Sequence, residues 1–436
     1  MVEPRLATPT VAFVDEYCQF YQSLFPEVRS FEAFKFLHLG MIADIKRKSL
    51  PAIARAVGLE NHQGLHHFLT HSPWSAVGLR QRRLELILQV LNGRSIVLIV
   101  DDTGDVKKGK TTDYVKRQYI GNIGKIENGI VAVTAYGLVG SIPFPLIAEV
   151  FKPKDCLKPG DEFKTKPQIA GQMVRELVRI GFRIDLVLAD RFYGESDYPF
   201  LRVLRQFKLP YVVAIRNNHG VLMPRAQRVR YNRWHQFKRT FSNGDSEIRY
   251  IREIIFGNRR QTQYWEITTD PETLPGDTTG LVMTHVAEIN YREVGDLYGL
   301  RTWVEYGIKQ SKSELGWADF RLTEFTQIEK WWEVVMSAFL LVSLYSEQLT
   351  GPTSNSAKQL AQHPWWNSQS GWKNWLNNLR LVIQPFICFN LIKPWLLVFA
   401  NSLLSLGFPR LIEQMNSFRL PKLLSVNRMN FRFSSA

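Results

Sequence analysis

The chain has 436 residues, 45% of them hydrophobic, enough to bury a sizeable core and, at roughly 100–200 residues per domain, enough for two or three domains. That composition excludes disorder of the whole chain. Lysine and arginine outnumber aspartate and glutamate by 55 to 40, a formal net charge of +15 that suits a polyanionic partner better than a small or membrane-bound substrate.

Residues 10 to 92 carry helical periodicity with charged faces and no strand pattern, which predicts an all-helical N-terminal domain over residues 1–92. Its opening MVEPRLATPTVAF lacks the long apolar run of a signal peptide. Cys18, Cys156 and Cys388 are too far apart for a CxxC pair, a zinc spacing or a disulfide framework, and three reduced thiols fit the cytoplasm. In SLPAIARAVGLENHQGLHHFLT, Ala54 precedes Gly58 by four residues, and a second helix begins at Asn61 or Gln63. A small residue at the crossing and a glycine at the turn match a helix-turn-helix corner, although an ordinary helical hairpin has the same marks. As a DNA reader, this corner would use Arg47, Lys48 and Arg55 on phosphates. His66 and His67 have no acidic or cysteine partner at metal spacing and read as surface or DNA-adjacent residues.

From Arg94 the pattern changes to strands. SIVLIVDD is a buried run ending in Asp101 and Asp102, with Thr103-Gly104 as a turn and the basic run Lys107, Lys108 and Lys110 beyond it. That run would track a DNA backbone or form a solvated loop. GIVAVTAYGLVG and IPFPLIAEVF read as a meander, PQIAGQMVRELVRIG as an amphipathic helix, IDLVLAD as a buried strand ending at Asp190, and YVVAI as a strand after a short helix. GNIGKIENG lacks P-loop spacing, so nucleotide binding is not expected. Three strands, helix, strand, helix, strand is the order of a ribonuclease-H-like α/β core, whose first part spans residues 93–215.

Residues 216–290, rich in Arg, Tyr and Trp with strand-like alternation, read as a β-rich insertion, and residues 291–350 as the helical second part of the core. GPTSNSAKQLAQHP reads as a linker opening a helical C-terminal region, residues 351–436. Within it, Pro385, Asn390, Lys393 and Pro394 interrupt the apolar stretch from Leu379 to Leu406, which predicts buried helices and no membrane span.

Phosphodiester hydrolysis and strand transfer need divalent cations held by carboxylates gathered at one sheet edge. SIVLIVDD and IDLVLAD both end in aspartate, and neighbouring strands of an α/β sheet bring their C-terminal ends to the same edge. Asp102 is favoured as the first ligand because in ribonuclease-H-like sites a small polar or glycine turn usually follows the metal-binding aspartate directly, and Thr103-Gly104 follows it here. Asp101 stays open, since a one-residue change of register exchanges the faces. Asp190 is the second ligand. Tyr298, Arg301, Glu305 and Lys312, at offsets of 3, 7 and 14, share a stripe about 60° wide if they lie on one helix. Intrahelical salt bridges such as Arg301 with Glu305 are the plain structural account of the same pattern.

The spacing of Tyr298, Arg301, Glu305 and Lys312 resembles the YREK signature of the DDE transposases of bacterial insertion sequences. VDDTGDVKKGK, the RQYIGNIGKIENG turn, LADRFYGES and KSELGWADF resemble one insertion-sequence group of that superfamily, over roughly residues 95 to 325. The resemblance implies a ribonuclease-H-like core with a β insertion, Mg²⁺- or Mn²⁺-dependent cut-and-paste chemistry with a hairpin on the transposon end, and a homodimer on double-stranded DNA. It assigns the metal to Asp102, Asp190 and Glu305, and phosphate contacts to Tyr298, Arg301 and Lys312. The chain departs from the pattern before the strand leading to the YREK helix, where Thr279-Gly280-Leu281 holds no tryptophan. Trp265 or Trp234 would then stack an extruded base, or pack in the core. A ribonuclease-H-like nuclease or resolvase would use the same triad, but the YREK pattern and the insertion speak against it. A domesticated DNA-binding derivative would have lost a carboxylate, and all three are present.

Overall fold

A computed structural model describes residues 5–223, 225–241, 245–257, 261–351 and 354–419, without the side chain of Asn122. These residues divide into two compact units. One is helical, from residues 5–92, 311–321 and 326–419, and one is built on a sheet, from residues 93–310 and 322–325.

The helical unit begins with α1 (Ala12–Gln19), α2 (Val28–Ile42), α3 (Leu50–Ala56), α4 (Gln63–Thr70) and α5 (Ala76–Leu91). Apolar side chains at helical spacing draw them together, with Phe13, Tyr17, Phe34 and Leu37 fully buried. A tight glycine turn joins α3 to α4, with the second helix starting at Gln63. Pro51 starts α3, the Leu59 N–H donates to the Ala54 carbonyl at 2.9 Å, and Gly58 adopts φ +78°, which a side chain would oppose. A Cβ at Gly58 would also lie 2.6 Å from Cγ of Asn390.

In the sheet-based unit, β1 (Ile96–Val106), β2 (Lys116–Ile120), β3 (Lys125–Val139) and β4 (Ile142–Val150) precede α6 (Lys166–Ile180). Then come β5 (Ile184–Ala189), α7 (Arg191–Gly194), α8 (Arg202–Gln206) and β6 (Tyr211–Ile215). The insertion supplies β7 (Val229–Tyr231), β8 (His235–Thr240), β9 (Ser246–Phe256), β10 (Gln263–Thr268) and β11 (Gly280–Thr284). Among the described residues these strands form one sheet in the order β2-β3-β1-β5-β6-β11-β10-β9-β7, with β4 beside β3 and β8 beside β9. β1 is antiparallel to β3 and parallel to β5, and β5 is parallel to β6. The segment 216–290 is no separate layer among the described residues. Its β11 pairs with β6 antiparallel and satisfies backbone groups that β6 would otherwise expose as an edge strand.

Three local expectations change. The first residues of RQYIGNIGKIENG form β2, hydrogen-bonded to β3, instead of a turn alone. Thr103 and Gly104 do not turn either, because β3 pairs with β1 as far as Val106, while β5 leaves β1 after Val100. The carboxylates thus sit in mid-strand, just past the end of the parallel pairing. The helix expected from residue 291 is broken into α9 (Tyr291–Gly299) and α10 (Thr302–Ser313). At the break the N–H groups of Leu300 and Arg301 donate to the carbonyls three residues back, at 3.1 Å each. Glycine at position 299 weakens the helix where this tighter turn intervenes.

The chain continues with α11 (Phe325–Leu344), α12 (Ser346–Thr350), α13 (Asn355–Leu360), α14 (Trp372–Val398) and α15 (Ser402–Met415). The stretch read as a linker contains α13, whose first turn is capped by Ser354. Against expectation, α14 runs unbroken through Pro385 and Pro394. Trp372 to Ile383 pack into the helical unit, but Trp395, Leu397 and Phe399 are exposed, as are Leu403 and Leu406 of α15, so the predicted burial holds only for the first half of α14. Of the described helices, α14 is long and apolar enough, at mean hydropathy 1.7, to cross a membrane by length and composition.

Candidate active site

Asp101 and Asp102 lie side by side on β1 opposite Thr134 and Val133 of β3, and strand alternation sends their side chains to opposite faces. Asp190 follows β5 and caps α7, its Oδ1 accepting the N–H groups of Phe192 and Tyr193 at 2.9 and 3.3 Å. The close seat of α7 depends on Gly194, since a Cβ there would lie 2.0 Å from the carbonyl oxygen of Ala214 on β6. The sheet therefore brings both strand-borne aspartate positions to one edge, as the spacing predicts.

Arg301, in the junction between α9 and α10, organises one side of this edge. Its guanidinium donates to Asp101 Oδ2 at 3.0 Å and to Oε1 of Glu305, one turn further along. Asp102 turns instead to Lys166, whose ammonium lies 2.6 Å from Asp102 Oδ2 and over the rings of Phe151 and Phe192, each at 5.7 Å. Tyr298 is half-buried on the last turn of α9, within electrostatic reach of Arg301.

The gathered charges perturb one another. Burial pushes Asp101 up to about 7, Arg301 opposes that rise, and Asp190 and Asp102 reinforce it. Asp190 is raised mainly by burial, again against Arg301. For Arg301 burial would lower the pKa, but Tyr298, Asp101, Glu305 and Asp190 outweigh it and hold the guanidinium charged. Tyr193 is fully buried within reach of all three aspartates, and its hydroxyl has no hydrogen-bond partner among the described residues.

Among the described residues, no three carboxylate, histidine or thiol groups converge closely enough to share one ion; Arg301 engages Asp101 and Glu305, and Lys166 engages Asp102. The donor chemistry nonetheless fits a hard divalent cation. Every donor is a carboxylate oxygen, and such a cation would offset both the burial that raises Asp101 and the repulsion from Asp190 and Asp102 that adds to it.

Other expected residues divide by burial. Arg55 is exposed on α3 and Arg47 is exposed beside Asp319, while His66, His67 and Gln63 line the open side of α4. Lys48 does not fit a phosphate role. Its side chain is buried, its Nζ donates to the Ala43 carbonyl, and burial, followed by the charge of Arg380, lowers its pKa to about 7. Lys107 is anchored through its backbone to Asn128, and Lys108 and Lys110 are exposed in the loop after β1. Trp265 is also corrected. It is 5% exposed on β10, so its face is not open to an extruded base, and half-buried Trp234 is covered by the guanidinium of Arg252 at 4.3 Å. Lys312 lies near the end of α10, within the helical unit.

Sequence reasoning missed Lys166, though it left a signal. A lysine in the first turn of a helix opposes the helix dipole, an arrangement that is stable when a carboxylate faces it. Tyr193 left no comparable signal, since only the packing of α7 buries it.

A family model described as DDE superfamily endonuclease matches residues 19–241, and one described as Transposase DDE domain matches residues 164–341. The chain belongs to the DDE superfamily of endonucleases and transposases. It is 61% identical over 330 residues, 76% of this chain and 87% of the other, to the "Probable transposase for insertion sequence element IS701" of Microchaete diplosiphon. Its activity is therefore that of an insertion-sequence transposase, an enzyme that binds, cuts and transposes DNA, with the divalent-metal dependence of its family. A cryo-EM structure of a piggyBac transposase synaptic complex with hairpin DNA resembles 98% of this chain over 84% of its own, at TM-score 0.42 and 11% identity, too weakly to carry an argument.

Proposed function

We propose that the sheet-based unit is a ribonuclease-H-like core in which Asp101, Asp190 and Glu305 hold Mg²⁺ or Mn²⁺ for cleavage and joining of transposon ends. The strand order β4-β3-β1-β5-β6, antiparallel up to β1 and parallel after it, supports that core. The sequence alone favours Asp102 as the first ligand. Asp101 is preferred here on one observation, that its carboxylate shares Arg301 with Glu305, whereas that of Asp102 is engaged by Lys166 on the other face.

When bound, the divalent ions would activate the attacking oxygen and stabilise the leaving one. The chain's own groups set the stage. Arg301 holds Asp101 and Glu305 through one guanidinium, and with Tyr298 it supplies donors for phosphate oxygens near the cut. The α3–α4 corner, with Arg47 and Arg55 exposed, reads the ends, and Lys107 and Lys108 follow the backbone. The enzyme works in the bacterial cytoplasm on double-stranded DNA as a homodimer. The exposed apolar side chains of α14 and α15 support association.

Single-turnover cleavage of pre-bound end DNA in Mg²⁺ tests the assignment. Asp101→Asn, Asp190→Asn and Glu305→Gln are expected to abolish cleavage and keep binding, while Asp102→Asn retains measurable cutting. Loss in Asp102→Asn with activity in Asp101→Asn would return the first ligand to Asp102. Wild-type cutting by all four variants would reject the site.

A further inference from the structure

The insertion brings a cation of its own towards Arg301. Arg239 lies on β8 where α9 ends against it, so that a Cβ on Gly299 would stand 3.6 Å from Arg239 Cγ and 3.7 Å from its Nε. Its guanidinium lies 5.0 Å from the centroid of the Phe241 ring. The Nε is buried and has no hydrogen-bond partner among the described residues.

The groups within electrostatic reach are Arg249, Tyr298, Glu247 and Arg301. The one carboxylate among them is already engaged, since Glu247 accepts from Arg249 Nε at 2.5 Å. Arg249 in turn donates to the Thr278 carbonyl at 2.9 Å. Arg239 is thus a partly buried guanidinium within electrostatic reach of two other guanidinium groups and a phenol, and the one carboxylate opposite it among the described residues, Glu247, is engaged by Arg249. Burial, then the charge of Arg249, lowers its pKa. Such a cation destabilises the free protein unless an anion completes it.

We propose that Arg239 binds a backbone phosphate of the transposon-end DNA, sharing it with Arg301 and the Tyr298 hydroxyl. The proposal rests on the reading of the carboxylate edge as the place of cleavage. A phosphodiester fits because its two free oxygens accept from a planar fork, whereas a point charge would meet only one. The ring of Phe241 supports the fork and limits its rotation. No base is read by this contact, so it adds affinity and registers the strand without adding sequence preference.

The test uses the full chain with Arg239→Ala and Arg239→Lys, and measures affinity for end duplex in EDTA over a range of salt. A set of duplexes, each carrying one neutral methylphosphonate near the cleaved end, is measured beside it. Arg239→Ala is expected to bind about tenfold or more weakly. Its log–log salt slope should be smaller by about 1. At one position the methylphosphonate should weaken the wild type and leave Arg239→Ala unaffected, and Arg239→Lys should restore the slope with part of the affinity. Wild-type affinity and slope in Arg239→Ala, or equal methylphosphonate penalties in both proteins at every position, would overturn the proposal. If melting shows that Arg239→Ala does not fold, Arg239→Gln, which removes the charge and keeps much of the stem, takes its place and is read by the same criterion. Because binding is read without metal, an error in the metal-ligand assignment shows in the cleavage assay and leaves this result standing.

Discussion

Lys166 and Asp102 form a largely buried ion pair, and the energetics of such a pair are asymmetric. Removing one member leaves the other charged and poorly solvated, which costs more than the intact pair contributes. Lys166→Met is therefore expected to lower stability by on the order of 2 kcal/mol. The double variant Lys166→Met with Asp102→Asn should recover most of that loss. Urea unfolding of both single variants and the double variant closes the cycle. Additive losses would mean that the 2.6 Å contact is not what places Asp102. Three positions of acidic chemistry were legible as residues, because an aspartate after an apolar run is a local pattern. The partners of those acids were not. Lys166 comes from a helix more than sixty residues further along the chain than Asp102, and no spacing rule connects the two.

Helices α5 and α11 are joined by charge in the core. Glu333, 1% exposed, accepts from Arg80 Nε at 3.0 Å and Arg83 Nη2 at 2.8 Å, and Arg80 also reaches Glu329 at 3.1 Å. Glu333→Ala would leave two buried guanidinium groups short of an acceptor and is expected to cost about 3–5 kcal/mol. Thermal melting compared with Glu329→Ala, at the more exposed end of the cluster, checks this. Equal small shifts would place the stability of α11 in its apolar contacts alone. At this scale most elements of the sheet-based unit were legible from period and length. The break after α9 was not, because helical offsets from Tyr298 to Lys312 assume a continuous axis, and Arg301 falls in the turn that interrupts it. The passage of α14 through Pro385 and Pro394 was also missed, for the converse reason that proline reads as a stop in local propensity.

Acid stability is a property of the whole chain with an identifiable contributor. His38 is fully buried on α2. Its Nδ1–H donates to the Phe34 carbonyl at 2.8 Å, and its Nε2 accepts from Ser337 Oγ at 2.9 Å. Burial lowers its pKa from 6.5 to about 4, so the folded state holds the neutral ring where the unfolded chain would take up a proton. A depressed folded pKa means that the contribution is complete above the unfolded value and is lost as pH falls from there towards about 4. Between pH 7 and about 4.5 the chain should lose on the order of 2 kcal/mol through this group. His38→Gln should flatten that part of the profile. Urea midpoints at both pH values measure it, and an unchanged profile in the variant would assign the acid sensitivity elsewhere. The main strands and helices of the sheet-based unit, the acidic positions and the resemblance to insertion-sequence transposases were determined by the sequence alone, because each is written in residues close together in the chain. Tertiary structure decided which aspartate shares Arg301 with Glu305, that Lys48 and Trp265 are buried, and that Arg239 on β8 reaches the junction carrying Arg301. Those outcomes depend on strand register and on the packing of segments remote in sequence, where one residue of shift exchanges the buried face for the open one.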